Sequence, residues 1–375
     1  MKGEFIRLWP MSIVDPTHHW KQWMTQLSLA VALLGAQQPV FGVPSQSFSG
    51  PGPYQVSTSV IEDQGLLFLP IAPEASSSRQ WPAVVFAHGL CGPADRYGAS
   101  LTRLASWGFL VLANQEQADC GVMNVDHPFA TLGNLFQLPL KFGNAVDFSA
   151  MASTIESNLA YVARRSDVDA NRLALMGHSM GGGMVIDVGA GLASQSPGEV
   201  KAVVAIAPWN GVQPTPSSVV SSLSAPLLIL CSMSDALCPC SGQVQLTDTQ
   251  GLLTGSVSPG IPLLFGSSAD PTWHGGAMAI FRHAPNAIVM DVDKVSHFTI
   301  AGIDGGSEMQ DFADWARGVS GLNFNQPDRP YTDIPTMEYA VAFLNQALGL
   351  DRQDGEAFLN GATSDARLVD VQRSN

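Results

Sequence analysis

Apolar residues in this chain gather in short, nearly continuous runs and seldom alternate with polar ones. Ala83 to Ala87, Phe109 to Ala113, Arg172 to Met176, Val200 to Ala207, Ala225 to Cys231 and Ala287 to Val292 are such runs. A strand covered on both faces reads this way, whereas a half-exposed strand alternates. Between the runs lie stretches with helical spacing: Arg96 to Trp107, closed by Gly108, and Ala150 to Arg164. Residues 54 to 60 and 65 to 70 read as an opening β-hairpin. The alternation of strand and helix predicts an α/β fold, a mostly parallel central sheet with helices on both faces. In such a sheet functional residues gather at the C-terminal ends of the strands.

No internal repeat and no linker-like tract divides the 375 residues, so residues 37–375 are expected to form a single domain. Residues 1–36 read as an N-terminal signal or targeting segment. Lys21 precedes the apolar run Leu27 to Ala36, which is too short to span a bilayer as a mature helix, and Gly35-Ala36 offers a small-residue cleavage site. Export is the location this implies, although a short hydrophobic helix packed on the body would give the same run. No later run is long enough for stable membrane insertion of the mature body.

Charge narrows the partners. A net charge of -14 without any basic cluster opposes nucleic acid and anionic bilayers, and suits neutral or cationic substrates. The cysteines are Cys91, Cys120, Cys231, Cys238 and Cys240, an odd number, so at least one is not paired within the chain. Cys231 reads as a buried core thiol, and no disulfide pairing follows from spacing alone. Cys238 and Cys240 are a weak metal signal, and no His-Glu-x-x-His spacing exists, so neither metal nor cofactor is expected.

The strongest motif is Gly177-His178-Ser179-Met180-Gly181, placed between a predicted strand and a predicted helix. The glycines permit a turn so sharp that the serine is thrust outward as a nucleophile, while His178 reads as a residue packed in that turn. Gly177 to Gly183 resembles the nucleophile region of bacterial cutinases and polyester hydrolases, and is similar to their dienelactone-hydrolase and chlorophyllase relatives. Asp167 to Leu173 resembles the segment that leads into it. The likeness spans roughly residues 80–240, resumes around His297 and reappears faintly at Asp351 to Leu359.

The resemblance implies an α/β-hydrolase fold and a serine carboxylic ester hydrolase working through an acyl-enzyme on neutral, largely apolar esters, small or polymeric. Segments near 118–148, 242–282 and 303–335 depart from the compact polyester hydrolases and read as insertions. In this fold the acid and then the histidine follow the serine. His297, in Val295-Ser296-His297-Phe298, follows a late apolar strand and is the expected general base. Two carboxylates compete as the third member. Asp235, after the first apolar strand beyond Val200, resembles the acid loop of the polyester hydrolases and is preferred to Asp270.

Two backbone donors should face the oxyanion: Met180, which follows the nucleophile, and Leu90 in the loop His88-Gly89-Leu90. Trp209 matches a cleft tryptophan of the polyester hydrolases and is the expected substrate contact, although a tryptophan at a strand end also serves as a core cap. The same serine, histidine and acid would serve an acyltransferase, and a hydrolase fold can also be a binding module without activity.

Overall fold

The structure is a computed structural model that describes residues 48–72, 79–89, 92–114, 148–196, 198–209, 215–235, 238–247, 253–257, 276–303 and 334–374. All of them belong to one unit, Gln46–Asn375. The expected signal segment, Leu90, Asp270 and most of each expected insertion lie outside the described residues.

A nine-stranded sheet, in the order β1-β2-β4-β3-β5-β6-β7-β10-β11, forms the frame. Its strands are β1 (Gln55–Ile61), β2 (Gly65–Ile71), β3 (Trp81–Ala87), β4 (Leu110–Asn114), β5 (Val168–His178), β6 (Val200–Ile206), β7 (Leu227–Cys231), β10 (Ala287–Val292) and β11 (Leu368–Arg373). From β4 to β10 every neighbouring pair is parallel. Antiparallel strands close both edges, β1 and β2 on one side and β11 on the other. The fold is that of an α/β-hydrolase, as the resemblance implied, on the mostly parallel sheet that the apolar runs predicted. A separate two-stranded sheet pairs β8 (Val244–Thr247) with β9 (Leu253–Val257) and adds nothing to the frame.

Period-two alternation divides the sheet into two apolar layers. Val84 and Phe86 of β3, Ala174 and Met176 of β5, and Leu228 and Leu230 of β7 face one side. There they meet Leu101 and Leu104 of α1 (Gly98–Ser106) and Val341 and Leu344 of α6 (Thr336–Leu348). Val85, Leu175, Val203 and Ile229 face the other side. Their partners are Ile155 and Leu159 of α2 (Phe148–Ala163), Val185 and Val188 of α3 (Met180–Gln195), and Ile280 of α5 (Gly276–His283). Each of these Val, Leu, Ile, Phe and Met side chains contributes roughly 1.5–3 kcal/mol through burial. The strand ends are therefore held by the body of the sheet, and the loops that leave them inherit a rigid base.

The winding reverses between β3 and β5. Chain order runs from β3 to β4 on one side and then crosses back to β5 on the other. Adjacent loops diverge at such a reversal and leave a crevice at the C-terminal ends of the strands. Here it lies between the loop after β3 and the turn after β5. Short 3-10 turns at Ala94–Tyr97, Thr299–Ala301 and Gly361–Ser364 and helices α4 (Ser217–Val220) and α7 (Arg352–Asn360) complete the described elements. The expected helix over Arg96 to Trp107 is thus split between the first of these turns and α1.

Candidate active site

Ser179 stands on the sharp turn between β5 and α3, with φ 55° and ψ -123°, a conformation that costs a side-chain-bearing residue strain. Two glycines make the turn possible. A Cβ on Gly177 would collide with the Gly181 carbonyl, and one on Gly181 would collide with the carbonyls of Ala87 and His88. The strained backbone is tied down from outside: Ser179 N–H donates to the Ile206 carbonyl at 2.9 Å, and the Ser179 carbonyl accepts from Trp209 N–H at 2.8 Å. The hydroxyl is consequently fixed at the mouth of the crevice.

His297 comes from the loop after β10, where Ile300 N–H bonds the Ser296 carbonyl and Ser296 Oγ meets Thr299 Oγ1 at 2.6 Å. Its Nε2 lies 2.9 Å from Ser179 Oγ and its Nδ1 lies 2.7 Å from Asp235 Oδ2. Asp235 sits in the loop after β7, only 1% exposed, with Oδ1 accepting from Cys238 N–H at 2.8 Å. An ionised Asp235 accepts only, so His297 carries its hydrogen on Nδ1 and keeps the Nε2 lone pair for the serine proton. Serine oxygen, imidazole and carboxylate stand in the order needed to move a proton from Ser179 to His297. Sequence separations of 118 and 62 residues are closed by the parallel sheet, which brings the three loops to one edge.

Met180 opens α3, so its N–H is among the first donors of the helix and has no carbonyl one turn back to bond. Leu90, the other expected donor, lies outside the described residues, and its neighbour Gly89 packs so close to Ser179 that a Cβ in its place would lie 3.0 Å from the serine Cβ. Buried His88 shapes this loop through Asn114 Oδ1, which accepts its N–H at 3.3 Å. Trp209 is half-buried and packs against both apolar layers. Among the described residues no group of three or more His, Cys, Asp or Glu side chains is arranged to hold a metal ion.

One sequence expectation is overturned at this site. Cys231 is not a thiol; it forms a disulfide with Cys240, the two Cα atoms 5.2 Å apart. The apolar run around it suggested a core residue, and it is indeed buried, but its sulfur points to the end of the loop that carries Asp235. Among the described cysteines Cys238 is unpaired, and it is buried beside Ser179. Burial first, and then the Asp235 carboxylate, push its pKa well above the usual thiol value, so it stands as a neutral thiol. At the end of β10, Asp291 Oδ1 accepts from Met233 N–H at 3.0 Å, and burial raises its carboxyl to about 6.

Sequence reasoning passed over Tyr97 and gave His178 only a packing role in the turn, and both line the site. His178 is entirely buried, and this burial, followed by the neighbouring His297 ring, holds its pKa well below the ordinary histidine value. Tyr97, which belongs to no motif, bonds it at 2.9 Å. Only the position of His178 beside the nucleophile offered a signal.

A family model described as PET hydrolase-like matches residues 44–246, just over half of the chain, a span that includes Ser179 and Asp235. The chain is 29% identical over 159 residues to "Cutinase est1" of Thermobifida alba, 42% of this chain and 44% of that one. It is 40% identical over 75 residues to "Cutinase 1" of Thermobifida cellulosilytica, 20% of this chain and 25% of that one. The matched stretches thus span less than half the length of either relative.

Proposed function

Because the chain belongs to the PET hydrolase-like family, we propose that it is a serine carboxylic ester hydrolase in which Ser179, His297 and Asp235 form the triad. The carrying observation is the continuous set of hydrogen bonds from Ser179 Oγ through His297 to Asp235. Ser179 Oγ attacks the ester carbonyl carbon while its proton passes to His297 Nε2, and Asp235 stabilises the imidazolium through Nδ1–H. The carbonyl oxygen becomes an oxyanion facing the N–H groups of Met180 and Leu90. His297 then gives its proton to the departing alkoxide, leaving an acyl-Ser179 ester. Water, deprotonated by the same Nε2, attacks that ester, releases the acid and returns the proton to the serine.

Neutral, largely apolar esters, small or polymeric, are the substrates in this reading. The net charge of -14 disfavours anionic ones, and half-buried Trp209 supplies a flat apolar wall beside the nucleophile. Export fits the Cys231–Cys240 disulfide, since such bonds persist in oxidising compartments. Among the described residues no helix is long and apolar enough to cross a membrane.

The test is Ser179→Ala measured on p-nitrophenyl butyrate, with a fluorophosphonate probe applied to both proteins. Loss of kcat on the order of 10⁴- to 10⁶-fold is expected, together with loss of labelling. Retention of more than about a tenth of wild-type turnover would refute the assignment, since removal of a working nucleophile costs far more.

A further inference from the structure

We infer that Tyr97 and His178 are positioning residues: a hydrogen-bonded relay through their side chains holds the loop after β3 and the backbone of His297 in register with Ser179. Gly89 N–H donates to Tyr97 Oη at 2.9 Å. Tyr97 Oη lies 2.9 Å from His178 Nδ1, and His178 Nε2 lies 2.8 Å from the His297 carbonyl. Both side chains are 1% exposed, so none of these bonds is shared with bulk water.

The relay admits one direction only. An amide N–H can only donate, so Tyr97 Oη accepts from Gly89, and a neutral His178 with its hydrogen on Nε2 offers Nδ1 as the acceptor for the tyrosine hydrogen. A carbonyl can only accept, so His178 must carry its hydrogen on Nε2. A protonated His178 would carry hydrogen on both nitrogens and turn Nδ1 against the tyrosine hydrogen. Burial and the adjacent His297 ring, 4.7 Å away between centroids, already keep His178 neutral.

What the relay joins gives it a role. Its ends are the loop that bears the expected oxyanion donor Leu90 and the main chain of the base, and it passes through the residue preceding the nucleophile. The contacts reach across 81 and 119 residues of sequence. Asp235 orients the imidazole of His297 from its far edge, while His178 fixes the peptide from which that imidazole hangs. Neither Tyr97 nor His178 touches a reacting atom. Their effect is on placement, and a misplacement near 1 Å can cost on the order of 10²-fold in rate.

This inference rests on the ester hydrolase reading, and its test separates the two. Tyr97→Phe keeps the ring packed against Phe86, 4.8 Å away between centroids, and removes only the hydroxyl. On p-nitrophenyl butyrate it should lower kcat by about 10- to 100-fold with KM within about twofold of wild type, the pattern of an interaction felt in the transition state. Independently, ¹⁵N spectra of the wild-type protein should show His178 as the neutral Nε2–H tautomer, and Tyr97→Phe should keep that tautomer while the resonance of the unprotonated Nδ1 shifts because it has lost its donor. An unchanged kcat in Tyr97→Phe, or an Nδ1–H tautomer in the wild type, overturns the relay. If the variant fails to fold, the wild-type tautomer decides. Absence of ester turnover in the wild type would sink the hydrolase reading while leaving the tautomer to judge the relay.

Discussion

Asp235→Asn exchanges one oxygen for an NH₂ group and changes almost nothing of shape, and the site dictates how the new amide must sit. Cys238 N–H points at Oδ1 from 2.8 Å and can only donate. The amide oxygen must stay on that side, because the alternative sets an NH₂ group against an N–H. The NH₂ then occupies the place of Oδ2, 2.7 Å from His297 Nδ1. That nitrogen must now accept, which drives the ring hydrogen to Nε2, the atom 2.9 Å from Ser179 Oγ. The base would be present, in place and in the wrong tautomer. A change of this kind costs about 10⁴ in kcat, or about 5 kcal/mol in the barrier. The assay is kcat on p-nitrophenyl butyrate beside a urea unfolding curve, with Asp270→Asn as the comparison expected to retain wild-type turnover. A loss below about tenfold for Asp235→Asn in a folded protein would refute the tautomer argument. A crippled Asp270→Asn would move the acid elsewhere.

Asp291→Asn keeps an oxygen for Met233 N–H while removing a carboxyl whose pKa burial raises from 3.8 to about 6. The folded state holds that proton more tightly than the unfolded chain, so this contribution to stability is complete below pH 3.8 and is lost as pH rises through about 6. The variant should therefore match wild type near pH 4 and exceed it at pH 8, by at most about 3 kcal/mol and less because the group is partly solvated. Equal urea midpoints at pH 8 would contradict this. Gly181→Ala drives a methyl group into the Ala87 and His88 carbonyls. It should cost about 1–3 kcal/mol of stability and lower kcat as well, since the displaced strand end leads into the oxyanion loop. Unchanged unfolding and turnover would show that the turn has slack.

The central strands were legible because both of their faces are covered, which makes runs such as Leu227 to Cys231 continuous. The Ser179 turn was legible because its geometry admits few residues at 177 and 181. Strand β11 escaped notice for the opposite reason: Leu368, Asp370 and Gln372 alternate with Val369, Val371 and Arg373 on an exposed edge, so no apolar run marks it. Helix α6 is apolar nearly all round, since it is buried along almost its whole length, and a helix of that kind has no stripe to detect. Both Asp235 and Asp270 follow a proline-led apolar run, and Asp235 is preferred because its run is the first beyond Val200 and because it resembles the acid loop of the polyester hydrolases. Asp235 is the carboxylate that bonds His297. Tyr97 left no trace at all, since a residue that acts through a single buried hydroxyl is identified by what surrounds it in space.

The Cys231–Cys240 bond makes the segment bearing Asp235 a small covalent ring, whose closure removes roughly 2–3 kcal/mol of chain entropy from the unfolded state. The ring also has a neighbour. Met278 N–H, on α5, donates to the Cys240 carbonyl at 2.9 Å, so the chain that leaves the ring at Cys240 returns to the same point before entering β10. Everything between Ser241 and Ala277 is thus an excursion with pinned ends. The position of the acid is therefore set twice, once by a covalent bond back to β7 and once by a hydrogen bond from α5.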